Sequence, residues 1–409
     1  MQLLSHFSFY KLLNVFLRIS GIGSKFLIFT LLSKYLTDIE FGNYSLITSI
    51  ITMMIFILGV DFYNFSIREI LTQKDSFIIQ NNILSTLVLY LFIYSLFFLI
   101  GFFVFNLVDF TKEYVLLVLF LCITEHLSQE IYRLLIGFNK ILLANILLFS
   151  RTFVWSVYIG FLAYSGEIVS IDFILQVWLI SDSVTILIPA ILYLKYLRLK
   201  EFKINYKWIF NGLKISSLFF ISTIFLKLIE YANRFIVDLF LGKEIAGIYT
   251  FYSSIAILIT VYVNTIVISF ELPSILKASD LDQQKLLFTK FKKSLLVQTV
   301  VVSIILLLLI YPILTWQDKS NFKEYLPILF FMIIGVGLMN YSLYYHFKLY
   351  VKKFDKKLVK TLVISGVASL IIAFILTKFL GVYGAAIAFT LSGGILFLNR
   401  FIEVKRLNI

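Results

Sequence analysis

Twelve predominantly apolar stretches, each long enough to cross a bilayer, follow one another along this sequence: roughly 11–36, 42–67, 77–105, 114–137, 141–164, 171–195, 213–240, 246–272, 293–315, 325–349, 358–379 and 383–402. A spanning helix needs about 20 such residues. Hydrophobic residues make up 60% of the 409-residue chain and charged residues only 14%, against about half and a quarter in soluble domains. One or two water-facing domains could not hide that much apolar surface. An all-α integral membrane protein is expected. The first stretch runs on into the second without a cleavage signature, so it reads as a retained span rather than a signal peptide.

The cations set the topology. Counted with the adjoining ends of the spans, the two ends of the chain and the connections after even-numbered spans hold 25 of the 36 Lys and Arg. They include Lys195, Arg198, Lys200, Lys203 and Lys207, then Lys277 to Lys293, then Lys348 to Lys360. The remaining connections hold five: Lys112, Lys243, Lys319, Lys323 and Lys378. Under the positive-inside rule this split places both termini in the cytoplasm.

The two halves echo each other. Without gaps, Tyr35–Ile50 (YLTDIEFGNYSLITSI) matches Phe240–Ile255 (FLGKEIAGIYTFYSSI) at Leu36/Leu241, Gly42/Gly247, Tyr44/Tyr249, Ser49/Ser254 and Ile50/Ile255. The offset is 205, about half the chain. Phe138-Asn139-Lys140 and Phe354-Asp355-Lys356 echo each other after spans 4 and 10. Six spans per repeat give two bundles that enter the membrane in the same direction, with the transport path expected between them. The expected division is a bundle over 1–198, a basic hinge-like linker over 199–212 and a second bundle over 213–409.

Ionisable residues inside the spans are candidates for function, because each costs about 2.5–3.5 kcal/mol near mid-bilayer on the translocon scale. Asn14, Arg18, Gly21 and Lys25 lie within about 60° of one another on the first helix, with no carboxylate within four residues of either cation. Span 7 carries Lys227, Glu230, Tyr231, Arg234 and Asp238 on one stripe, and the offset pairs Glu230 with Lys25. Those two side chains are expected to pair or to line opposite walls of a cleft. Span 4 carries Glu125, His126, Gln129, Glu130 and Arg133; span 5 carries Arg151 and span 6 Asp182. For Glu125, Glu130 and Arg151, an interhelical ion pair holding spans 4 and 5 together is an equal reading. His126 reads as a hydrogen-bonded packing residue. Arg18, Lys25, Lys227, Arg234 and Arg151 are the candidates for holding an anionic substrate; Glu125, Glu130, Glu230 and Asp182 are those for ion coupling or gating.

Other chemistries find no residues. Cys122 is the single cysteine, and His6, His126 and His346 are scattered, so no metal site or cofactor is expected. Walker A, HExxH and GxSxG patterns are absent, and no ATP-driven or enzymatic step is expected. The net charge of +13 lies mostly between spans rather than on a soluble basic face, which excludes a nucleic-acid partner. A cationic cleft instead suits a phosphate, held by Arg through paired donors and by Lys as a point charge.

Phe7–Glu69, with its Arg18/Lys25 stripe, YLTDIEFGNYSLITSI and Gly59–Ile70 (GVDFYNFSIREI), resembles the N-terminal region of Wzx-type flippases of the multidrug/oligosaccharidyl-lipid/polysaccharide (MOP) exporter superfamily. Leu134–Leu147 (LLIGFNKILLANIL) and Phe379–Ser392 (FLGVYGAAIAFTLS) extend the resemblance to spans 4–5 and 11–12. It implies a MATE-like pair of six-helix bundles in the bacterial inner membrane. The implied activity is movement of an undecaprenyl-diphosphate-linked O-antigen or capsular repeat unit to the outer leaflet by alternating access. Implied partners are that lipid-linked oligosaccharide, membrane lipids, a coupling proton or sodium ion, a polysaccharide polymerase and a chain-length regulator. A multidrug or cation antiporter of the same superfamily is the second reading, and a polytopic polysaccharide polymerase the third. The polymerase is disfavoured by short outer loops such as WQDKSNFKE. The lipid II flippase is a further relative, but it looks like a fourteen-helix protein.

Overall fold

The computed structural model describes residues 2–167, 169–194, 201–278 and 280–408. Lys195, Arg198 and Lys200 of the expected linker lie outside the described residues. Among the described residues the secondary structure is helical, with no strand. The spanning helices are α1 (Gln2–Tyr35), α2 (Asp38–Gly59), α3 (Ser76–Asn106), α4 (Val115–Gly137), α5 (Ile141–Tyr164) and α6 (Ile171–Leu194). Then come α7 (206–241) and α8 (243–276), α9 (Leu281–Gln317), α10 (Pro327–Val351), and α11 (355–380) and α12 (382–406). α7 is separated from α8 by the single non-helical residue Gly242 (φ 81°) and α11 from α12 by Gly381 (φ 60°), and α8 is π-helical over Val263–Ile268. At both glycines an added Cβ would meet nothing within 4 Å. The left-handed backbone, not crowding, demands glycine there.

Rows of large apolar side chains face outward, for example Phe92, Leu96, Leu99 and Phe103 on α3 and Val297, Val301, Ile304 and Leu308 on α9. In water such faces would be untenable. In lipid they are the expected outer surface, and with internally bonded helices the chain is built as a multi-pass membrane protein.

α2 differs from its expected range of 42–67. It begins at Asp38 because Thr37 and Glu40 form a capping box: the Glu40 amide donates to Thr37 Oγ1 (3.3 Å) and the Thr37 amide to Glu40 Oε2 (3.0 Å). It ends at Gly59, where Val60 (φ 46°) and Asp61 (φ 50°) both turn left-handed. Gly59–Ile70 is therefore a corner followed by the short helix Tyr63–Thr72, not the end of a span. A Cβ on Gly59 would lie 2.8 Å from His126 Nε2, so the corner is wedged against α4.

The chain divides into two compact units, Met1–Leu36 with Ile47–Phe220 and Thr37–Leu46 with Ile221–Ile409. In the first, the described part of the expected linker is not a free tether. The backbone amides of Lys203 and Asn205 donate to Asn81 Oδ1 (3.1 Å) and Ser85 Oγ (3.0 Å) of α3. Asn205 caps α7 by accepting from the Trp208 amide (3.1 Å), and the Trp208 ring packs on Phe62 and Phe65. Residues 206–212 are thus the first turns of α7.

In the second unit the repeat-related glycines touch. A Cβ on Gly42 would lie 2.1 Å from the Lys243 carbonyl oxygen, and one on Gly247 would lie 3.0 Å from Gly42 Cα. The N-terminal ends of α2 and α8 therefore cross backbone against backbone. The short helix Ser320–Glu324 straps this crossing. Phe322 packs on Phe41 and Phe251 and its carbonyl accepts from Tyr252, while Lys319 pairs with Asp38 at 2.6 Å. Asn321 donates to Asp38 (3.2 Å) and to Glu244 (2.9 Å). Gly42→Val should cost at least the upper end of the 1–3 kcal/mol typical of overpacking, because backbone cannot yield. A fall in thermal midpoint of the purified protein checks this; an unchanged midpoint would contradict the crossing.

Candidate functional site

Each unit gathers in-membrane charge into its own group. In the first unit, Glu125 of α4 is completely buried and collects three helices around it. Lys25 of α1 donates to Glu125 Oε1 at 3.2 Å, and Trp178 of α6 donates to the same oxygen at 2.8 Å. Arg151 of α5 stands 3.7 Å from Oε2 and also donates to Gln129 Oε1 (3.2 Å). Lys25 lies 5.6 Å from the Trp178 ring centroid, and Trp178 is stacked on Trp155. The Lys25 side chain stays 44% exposed while its carboxylate partner is sealed. An ammonium ion is thus presented from an anchored base.

Arg151 reaches this group because α5 is locally π-helical over Ser150–Val154. Such a wide turn inserts an extra residue, resets which side chains face a neighbour, and is frequent at functional sites. Nearby, Asp182 of α6 is fully buried, accepts from Thr124 Oγ1 at 3.4 Å, and has no hydrogen-bond partner at Oδ1 among the described residues.

Two expectations need correction. Lys25, with no carboxylate within four residues on α1, is nonetheless paired: Glu125, a hundred residues away in sequence, supplies the carboxylate that a search along α1 could not reveal. Of the two arrangements expected of Lys25 and Glu230, the direct pair is not formed: Lys25 pairs with Glu125 and Glu230 with Lys227. The rest of the α1 stripe packs on α5, with Asn14 accepting from Asn145 Nδ2 (2.8 Å) and Gly21 against Thr152 and Leu148. Arg18 is exposed and does not join the group. The Glu125–Arg151 pair does tie α4 to α5, whereas Glu130 pairs with Arg133 on its own helix and accepts from Tyr90 Oη of α3 (3.0 Å). His126 is buried and bonded to Tyr94 Oη through Nδ1 (2.5 Å), a packing arrangement.

In the second unit, α7 displays its own ladder. Lys227 donates to Glu230 Oε2 at 2.7 Å, Arg234 donates to Ser254 Oγ of α8 at 3.3 Å, and both cations lie over Tyr231, at 5.7 and 4.7 Å from its ring centroid. Arg234 is buried. Arg234→Lys keeps the charge but loses the flat group that stacks on Tyr231. About tenfold lower transport with unchanged protein in the membrane is expected, given the ~1–2 kcal/mol of such a desolvated stack; wild-type transport would show that charge alone matters.

Trp178 was missed by reading the sequence. Its available signal was position: a Trp in mid-span stands away from the interfacial belts where Trp normally collects.

The fold recurs in solved transporters. The lipid II flippase MurJ in an inward closed conformation aligns with a TM-score of 0.76 at 15% identity, over 97% of this chain and 87% of that one. An inward-facing multidrug resistance MATE family transporter of the MOP superfamily aligns at 0.66 and 13% identity, over 98% and 94%. The MATE multidrug transporter DinF-BH aligns at 0.67 and 11% identity, over 96% and 95%. No curated protein sequence matches the chain. A family profile described as "Polysaccharide biosynthesis protein" matches residues 14–279, more than half of the chain, and the chain belongs to that family.

Proposed function

We propose that this protein is a flippase that carries an undecaprenyl-diphosphate-linked oligosaccharide, an O-antigen or capsular repeat unit, from the cytoplasmic to the outer leaflet of the bacterial inner membrane. The observation that carries the reading is Lys25: a partly exposed ammonium within the membrane, braced by a buried Glu125 and flanked by Trp178. Its charge suits a diphosphate head and the Trp178 ring suits an attached sugar; Lys227 and Arg234 over Tyr231 on α7 repeat the same cation-and-ring chemistry within the second unit. Membership in a polysaccharide biosynthesis family supports the same cargo class. The lipid tail needs no enclosed path, because it is at home in the bilayer. Asp182, buried beside the Glu125 group, is our candidate for taking the coupling proton as the site changes the side it faces.

A second reading, a multidrug or cation antiporter, draws on the buried Glu125 and Asp182 carboxylates and the MATE-like fold. Expression in a strain lacking its own flippase separates the two. Restored surface glycan supports the flippase; efflux of cationic drugs without glycan restoration overturns it.

A further inference from the structure

Where α11 begins and α12 ends, three cations converge on one carboxylate. Lys357 and Lys360 of α11 stand 3.5 and 3.7 Å from Glu403 of α12, and Arg406, one turn on, stands 3.8 Å away. Glu403 is buried, while the three cations are 43%, 53% and 68% exposed. None of these pairs is a hydrogen bond, and Glu403 Oε2 has no hydrogen-bond partner among the described residues. The group therefore holds two positive charges beyond what its carboxylate balances, and its N–H donors are not spent on that carboxylate. A phosphate group, with several anionic oxygens, is the chemistry that would use them.

What lies next to the group says what carries the phosphate. Lys360 heads an exposed stripe of α11 at three- and four-residue spacing: Ile364, Val367 and Ile371. Arg406 heads another on α12, through Ile402 and Leu398. Charged heads at one end of two apolar stripes match a lipid headgroup with its chains alongside. This end of the helices is also the membrane face on which most of the chain's Lys and Arg fall.

We infer that Lys357, Lys360 and Arg406 form a binding site for the phosphate of an anionic phospholipid, with Glu403 as the resident carboxylate the lipid must displace. The site belongs to the second unit alone and stands whether or not the transport reading does. Competition from Glu403 gives the inference a signature that general attraction to a basic surface lacks: removing its charge strengthens binding.

The test is native mass spectrometry of the purified full chain titrated with phosphatidylglycerol or phosphatidylcholine of matched chains. Phosphatidylglycerol should bind preferentially, and Lys360→Ala and Arg406→Ala should each weaken it about fivefold. E403Q should bind it several-fold more tightly. Equal retention of both lipids, unchanged binding in the two cation variants, or weaker binding in E403Q would each overturn the inference. Inorganic phosphate at millimolar concentration should leave the lipid bound; full displacement would mean an ion site to which the chains contribute nothing. The exposed cation variants are not at risk of misfolding, so the result does not depend on E403Q alone.

Discussion

Lys25→Ala is expected to abolish surface glycan in a complemented flippase-null strain while leaving the amount of protein in the membrane unchanged. The two readouts separate because the ion pair is unevenly built. Glu125 keeps the Trp178 hydrogen bond and the Arg151 guanidinium when Lys25 is removed, so its buried charge remains compensated. Lys25 itself is nearly half exposed, so its removal opens no cavity in the core. In the proposed function its ammonium is the group that meets the anionic cargo. Loss of one charge-assisted bond of about 1.5–3 kcal/mol corresponds to a transport defect of about ten- to a hundredfold. Surface-glycan immunodetection beside a membrane immunoblot reads both quantities. Lys25→Arg should retain part of the activity, since charge persists at the same place. Wild-type glycan in Lys25→Ala would remove the basis for an anionic head at this position.

Glu125→Leu should behave in the opposite manner and cost the fold. It strips the shared counter-ion from Arg151, which is itself buried, and removes the acceptor for Trp178. Breaking a buried pair by deleting one partner typically costs about 3–5 kcal/mol, because an uncompensated charge is left behind. The thermal midpoint of the purified variant should therefore drop sharply. Arg151→Met alone should also destabilise. The double variant Glu125→Leu/Arg151→Met should be more stable than the sum of the single losses allows, since an apolar pair of similar volume replaces both charges. It should remain inactive, because Lys25 has then lost its anchor. Strictly additive losses would show that the two residues do not act as a pair.

What could be read in advance follows from range along the chain. The spans were legible because bilayer thickness sets a length that about 20 apolar residues either meet or do not. The breaks at Gly242 and Gly381 fell between expected spans, each after a Phe-Leu pair, and local backbone freedom is a local property. Gly42 and Gly247 were found as identities in a repeat, but only the crossing of α2 and α8 gives the reason for them.

The site was legible only in part. Helical spacing showed that Lys227, Glu230, Tyr231 and Arg234 share a face, and they do interact as a ladder. Lys25 seemed uncompensated because its partner is distant in sequence, and the reach of its side chain from α1 to α4 is not written in either helix alone. The π-helical turn that aims Arg151 has no residue signature, since it arises from insertion into a regular ladder rather than from a breaker. Asp61 was read as part of a span because hydrophobicity continues through the left-handed corner at Val60 and Asp61, where the backbone, not the composition, ends the helix.

The most direct test of the central claim is a reconstituted one. Purified protein in liposomes carrying a labelled undecaprenyl-diphosphate oligosaccharide can be followed by accessibility of the sugar to an added external reagent. Wild-type protein should equilibrate the label between leaflets, Lys25→Ala and Arg234→Ala should not, and a labelled cationic drug should neither compete nor be moved. Equilibration at the wild-type rate by both variants, or transport of the cation in place of the lipid-linked sugar, would contradict the assignment of these cations to an anionic cargo.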